Sequence, residues 1–137
     1  MQVEGLKVGL VSEAEQEVTP ELTAQHIGSG SLRVYATPAM ALLIERTCAA
    51  AVQPHLPPDQ STVGIEMHLR HLAPTPVGDR VRIRVELVEV QGNRLAFHAE
   101  LWDSQEKVGQ AAHLRAVIEV PRFLRRVEEK ARRLRGD

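Results

Sequence analysis

The stretch T-P-A-M-A-L-L-I-E-R-T-C-A-A-A-V, from Thr37 to Val52, decides the fold. Thr37 suits a helix N-cap and Pro38 is pre-set for the first helical position. Pro54, Pro57 and Pro58 close the segment behind Val52. Between them Ala39, Met40, Ala41, Leu42, Leu43, Ile44 and Ala49 to Val52 point in every direction around the axis. A helix apolar nearly all round is expected to be buried nearly all round. At about 16 residues it is too short to span a bilayer.

Beyond this helix the apolar period changes from 3.6 to 2. Val63, Ile65, Met67 and Leu69 alternate with Gly64, Glu66, His68 and Arg70, which predicts a half-buried strand. Val81, Ile83, Val85 and Leu87 alternate with arginines and Glu86, and the phase slips at Val88 and Val90, predicting a bulge. Gln91, Gly92 and Asn93 read as a hairpin turn leading into the alternation of Leu95, Phe97, Ala99 and Leu101. A polar turn at Asp103 to Lys107 precedes a last strand from about Val108 to Val120. A terminal helix follows, striped by Phe123, Leu124, Val127, Ala131 and Leu134. Toward the N-terminus a strand is expected from Glu13 to Thr19, and Gly28 to Ser31 form a loop. One helix enclosed by a curved antiparallel sheet would satisfy all these apolar faces, an α+β architecture.

The chain has 137 residues, enough for one domain over positions 1–137 and too few for two ordinary ones. Hydrophobic residues make up 43% and charged residues 26%, so a packed core is expected rather than disorder. Aromatics are only 3%, which makes the core aliphatic and argues against base-stacking nucleic-acid modules. The net charge of −1 recruits no polyanion, although Arg122, Arg125, Arg126, Lys130, Arg132, Arg133 and Arg135 crowd the C-terminal end. A single cysteine, Cys48, fits a reducing compartment and packing as a small hydrophobe. With neither a signal peptide nor an apolar run of about 18 residues, a cytoplasmic location without membrane contact is expected.

Glu45 is the anomaly of the central helix, because carboxylates are rarely buried without a partner. Arg46 points about 100° away around the helix and does not simply neutralise it. Desolvation makes a carboxylate a stronger base, suited to proton abstraction or nucleophilic attack. The alternative is that Glu45 and Arg46 mark one solvent-facing stripe. His71 falls in phase with Val63, Ile65, Met67 and Leu69, and is either an inward functional imidazole or a strand-end residue before Pro74 and Pro76. His68 points the other way, so H-x-x-H cannot converge on one ion, and neither a metal nor another cofactor is expected. Gly64 interrupts a strand, marking a bulge or a close approach. His98 and His113 lie on strands with no evident partner, and the terminal arginines are either a solvated face or a phosphate contact. Motifs for serine hydrolases, P-loops and dinucleotides are absent.

The stretch Val34 to Asp79 contains Y-A-T-P-A-M-A-L-L-I-E-R-T-C, S-T-V-G-I-E-M-H-L-R-H and A-P-T-P-V-G-D. It resembles the hotdog-fold thioesterases, among them the fluoroacetyl-CoA thioesterase-like members. The later A-H-L-R-A-V-I, Ala112 to Ile118, is similar too. The resemblance implies a hotdog fold, an antiparallel curved sheet wrapped around a central buried helix. It also implies hydrolysis of a small or medium acyl-CoA and a homodimer with sites at the subunit interface. Catalytic roles would fall on Thr37, Glu45 and His71, with the Gly64 N–H on the thioester oxygen. Arg115 and the basic tail are candidates for the CoA phosphates. One departure is that His26 to Val34 is short and lacks Phe, where the fluoroacetyl-specific enzymes carry a longer, Phe-containing lid. Thr37 and Glu45 are about 12 Å apart along one helix axis, so either the acyl group spans them or two chains share each site. A non-catalytic acyl-CoA-binding domain and an enoyl-CoA hydratase are the other classes. This sequence lacks the Asp and His pair usual on the helix of the hydratases.

Overall fold

A computed structural model describes residues 5–136. Five strands form one antiparallel sheet: β1 (Val11–Glu17), β2 (Gln60–His71), β3 (Arg80–Gln91), β4 (Arg94–Trp102) and β5 (Lys107–Glu119). Their order is β1-β3-β4-β5-β2, which leaves β1 and β2 as edges. The helices are the short α1 (Ala24–Ile27), the central α2 (Thr37–Val52) and the terminal α3 (Val120–Arg135).

The sheet follows the period-2 pattern. Val81, Ile83, Val85 and Leu87 of β3 and Leu95, Phe97, Ala99 and Leu101 of β4 all turn inward. They meet Met40, Leu43, Ile44, Cys48 and Val52 of α2, which lies across β1, β2, β3 and β5. This aliphatic core is the expected helix-on-sheet packing. Cys48 is fully buried within it, and burial pushes its thiol up to about 12. Gly109 of β5 gives the helix room, since a Cβ there would stand 2.6 Å from Met40 Sδ. The expected bulge in β3 is present, with the register shifting between Leu87 and Glu89. The β3–β4 turn at Gly92 and Asn93 is also where it was expected, with Gly92 at φ 59°. The first strand lies two residues earlier than expected, because Val18 donates its N–H to Asp79 and Thr19 already opens a turn.

Three expectations fail for physical reasons. α2 is not enclosed all round: its buried residues fall on one side, while Leu42 is 43% exposed and Arg46 and Ala50 face out. α3 keeps its apolar stripe in the open, with Phe123, Leu124, Val127 and Leu134 all exposed. The inward phase of β2 does not run through Val63 and Ile65. A bulge between Gly64 and Glu66 inverts it, so Thr62 is buried before the bulge, Ile65 is exposed, and Met67, Leu69 and His71 face in after it.

Candidate active site

Both candidate clusters lie along the seam between α2 and β2. At the start of α2, Ala36 is the N-cap and makes no side-chain cap bond. Thr37, expected as the cap, is instead the first helical residue, and its Oγ1 lies 2.8 Å from Nδ1 of His71 at the end of β2. Tyr35 sets the ring from the side, edge-on at 6.3 Å between centroids, while its own hydroxyl donates to Gln16 Oε1 at 2.8 Å. Burial pushes the His71 imidazole below the ordinary histidine value, offset in part by the backbone at Ala73. The ring is therefore neutral near pH 7. Which atom of the Thr37–His71 pair donates depends on the tautomer, and His71 Nε2 has no partner among the described residues. A cleft of about 400 Å³ opens here, lined by Ser29, Val34, Tyr35, Thr37, His71 and Pro74.

Two turns further along α2, Glu45 points into a second cleft of about 270 Å³ with Gly64, Ile65, Met67 and His113. Its side chain is 46% exposed, so the expectation of a carboxylate stranded in an apolar helix is corrected. The neighbours on β2 and β5 distinguish it instead. A Cβ at Gly64 would stand 2.8 Å from Glu45 Oε2, so only glycine admits the carboxylate this close to the strand. Arg115 Nη1 approaches the same oxygen at 3.8 Å.

Arg115 is itself buried and held on three sides. Its Nε donates to Thr62 Oγ1 at 2.8 Å, its Nη2 to the Thr62 carbonyl at 3.1 Å, and its Nη1 to His113 Nε2 at 3.2 Å. His113 Nδ1 in turn donates to the Glu66 carbonyl at 2.9 Å, beyond the bulge. That chain of donors fixes the tautomer of His113, with Nδ1 protonated and Nε2 accepting. Burial lowers the His113 imidazole, with the Glu66 carbonyl acting against this and the Arg115 charge adding to it. Arg115, a candidate for the CoA phosphates, thus has its guanidinium buried against the sheet beside Glu45, apart from the exposed arginines of α3.

The sequence candidates thus assemble into two groups, Thr37 with His71 and Glu45 with Gly64 and Arg115. Sequence reasoning missed His113, Thr62 and Tyr35. For His113 a signal existed: H-L-R on β5 puts His113 and Arg115 in the inward phase, where two polar residues need partners. No three of His, Cys, Asp or Glu converge among the described residues as a metal site would need. Nor is any described helix long and apolar enough to cross a membrane.

This fold recurs in known proteins. The family described as fluoroacetyl-CoA-specific thioesterase matches residues 18–121. The fluoroacetyl-CoA thioesterase of Streptantibioticus cattleyicolor is 32% identical over 133 residues, covering 93% of this chain and 96% of that protein. A solved structure of a fluoroacetyl-CoA thioesterase superposes with a TM-score of 0.87 at 31% identity, covering 93% of this chain and 98% of the other. A Thermus thermophilus thioesterase superfamily member, at 23% identity, superposes with a TM-score of 0.90 over 98% of this chain and 99% of its own, which supports the fold alone. The helix-on-sheet architecture is the α+β hotdog fold, and the chain belongs to the fluoroacetyl-CoA-specific thioesterase family.

Proposed function

We propose that this protein is a thioesterase that hydrolyses a small or medium acyl-CoA to the free acid and CoA, working as a cytoplasmic homodimer of one domain over positions 1–137. Glu45 attacks the thioester carbonyl directly or takes a proton from the attacking water. The Gly64 N–H stabilises the oxyanion that forms, and collapse of the tetrahedral carbon expels the CoA thiolate. The thiolate takes the proton that Glu45 removed from water or, after direct attack, one from solvent before water hydrolyses the acyl–Glu45 anhydride to the free acid. Arg115 holds Glu45 aimed along Gly64, while Thr37 and neutral His71 hold the far side of the acyl group or the water. Trapping an enzyme-bound acyl group with hydroxylamine would separate direct attack from water activation.

The observation that carries this reading is the meeting of Glu45, Gly64 and Arg115 at the β2 bulge. The distance of Thr37 and His71 from that group supports two chains sharing each site. β2 is a 12-residue edge strand paired on one side only, a natural template for a second copy. Antiparallel pairing of two β2 strands about a twofold centre between Met67 and His68 sets position 71 of one chain opposite position 64 of the other. Each site then draws Glu45 and Gly64 from one protomer and Thr37 and His71 from its partner. The test is Glu45→Ala assayed for thiol release across acyl-CoAs of increasing length. Turnover should fall by about 10³-fold or more with the melting transition retained, in line with loss of a nucleophile or general base. Turnover near that of the unaltered protein contradicts the assignment.

A further inference from the structure

We infer that His113 is a positioning residue for the candidate site, a clamp that holds the β2 bulge and so aims the Gly64 N–H at the substrate; this rests on the thioesterase reading above. Between Gly64 and Glu66 the register with β5 slips, so Ile65 has no partner across the ladder and stands 44% exposed. An unpaired residue beside a glycine leaves the strand free to bend there. Two buried side chains of β5 grip the bulge from either side. Ahead of it, Arg115 donates to Thr62 through Nε and Nη2, at 2.8 and 3.1 Å. Behind it, His113 Nδ1 donates to the Glu66 carbonyl at 2.9 Å. The bond from Arg115 Nη1 to His113 Nε2, 3.2 Å long, joins the two grips. Gly64 lies between them, and a Cβ there would stand 3.4 Å from both His113 Cε1 and Arg115 Nη1.

The clamp closes only around a neutral ring. His113 must donate at Nδ1 and accept at Nε2 at once, which imidazole does and imidazolium cannot. A second proton would set one N–H against another at 3.2 Å, two donors and two positive charges where both residues are buried. Few groups face the ring. From α2, the Glu45 charge favours the protonated form, and from β5 the Arg115 charge opposes it. The Cys48 thiol, pushed up to about 12 by burial, adds no charge. β2 presents the Glu66 carbonyl while the Glu66 carboxylate meets His68 at 3.0 Å, and β4 presents Phe97. Burial outweighs Glu45, so the ring is neutral near pH 7. Acid therefore opens the clamp, parting Arg115 from the far side of the bulge and letting the Gly64 N–H turn away.

Two variants divide the clamp between them. In His113→Asn an amide N–H replaces Nδ1 and still reaches the Glu66 carbonyl, while the link to Arg115 is lost. In His113→Gln the amide oxygen replaces Nε2 and keeps Arg115, while the Glu66 carbonyl is released. Each should lower kcat for acyl-CoA hydrolysis about tenfold with KM within about twofold, because the oxyanion donor is misaimed while binding contacts stay. Neither amide titrates, so the acid-side fall of kcat should be shallower in both variants than in the parent. In the unaltered protein the Gly64 amide resonance should shift with pH at the midpoint of the His113 imidazole, a readout that needs no variant to fold. Parent-like kcat in either variant, a higher KM with kcat unchanged, an unchanged pH profile, or a Gly64 amide that ignores the His113 titration overturns the clamp. An unaltered protein that cleaves no acyl-CoA contradicts the thioesterase reading instead, and the resonance titration still decides the clamp by itself.

Discussion

Gly64→Ala isolates the contact on which the proposed chemistry turns. The added Cβ would lie 2.8 Å from Glu45 Oε2 and 3.4 Å from both Arg115 Nη1 and His113 Cε1. Arg115 and His113 are pinned by hydrogen bonds, so Glu45 must give way. Ordinary contact begins near 3.4 Å, so the carboxylate moves by at least about half an ångström, swinging on a half-exposed side chain. The φ of Gly64 is not in the left-handed region, so alanine adds no backbone strain. The fold should therefore lose less than about 1 kcal/mol. Activity should respond far more, because misplacing a reacting group by roughly 1 Å costs on the order of 100-fold, about 2.7 kcal/mol of barrier. The assay is kcat/KM for acyl-CoA hydrolysis beside a urea melt of the same preparation. Parent-like turnover, or a protein that no longer folds, would refute the argument from this contact.

Two further expectations concern what stands behind Glu45. Arg115→Met removes the donors to Thr62 and His113 and should lower stability by roughly 3 kcal/mol in urea unfolding, with Arg115→Lys recovering little because an ammonium cannot reproduce the fork; a Met variant as stable as the parent would contradict the role given to this network. His71 and His113 both have imidazoles lowered by burial, so below the ordinary histidine range the unfolded chain binds protons that the folded chain refuses. Stability should be fully present above about pH 6.5 and fall as the pH drops toward the lowered values, and His113→Gln should flatten that dependence. A urea midpoint that is flat from pH 7 to 5 would be inconsistent with both buried neutral rings.

How far the sequence alone reaches is clearest along β2. The period-2 alternation identified the strand and put His71 inward, because Met67, Leu69 and His71 share one unbroken segment. Continued back through Gly64, the same count put Val63 and Ile65 inward, where the bulge turns them out and brings Thr62 in. Alternation cannot register a one-residue insertion until something shows which side of it is covered. The α2 helix was legible from its prolines and apolar run, but composition does not say which side of a helix the sheet covers. Glu45 was therefore singled out for burial, yet what marks it in the fold is Gly64 and Arg115. Those contacts join positions far apart in the chain. Thr37 was read as a cap because its residue type suits one, while the actual cap is Ala36 and the hydroxyl turns to His71.

The central claim, that each site combines Glu45 of one chain with His71 of another, is tested most directly by mixing two inactive proteins. Glu45→Ala and His71→Ala homodimers would each lack one essential group at both sites. When the two are unfolded and refolded together at equal amounts, half the dimers are mixed, and each mixed dimer carries one intact site. Hydrolysis should return to about a quarter of the unmixed parent's specific activity, as random pairing in a twofold dimer requires. Mixtures that form dimers and stay inactive would contradict a shared site.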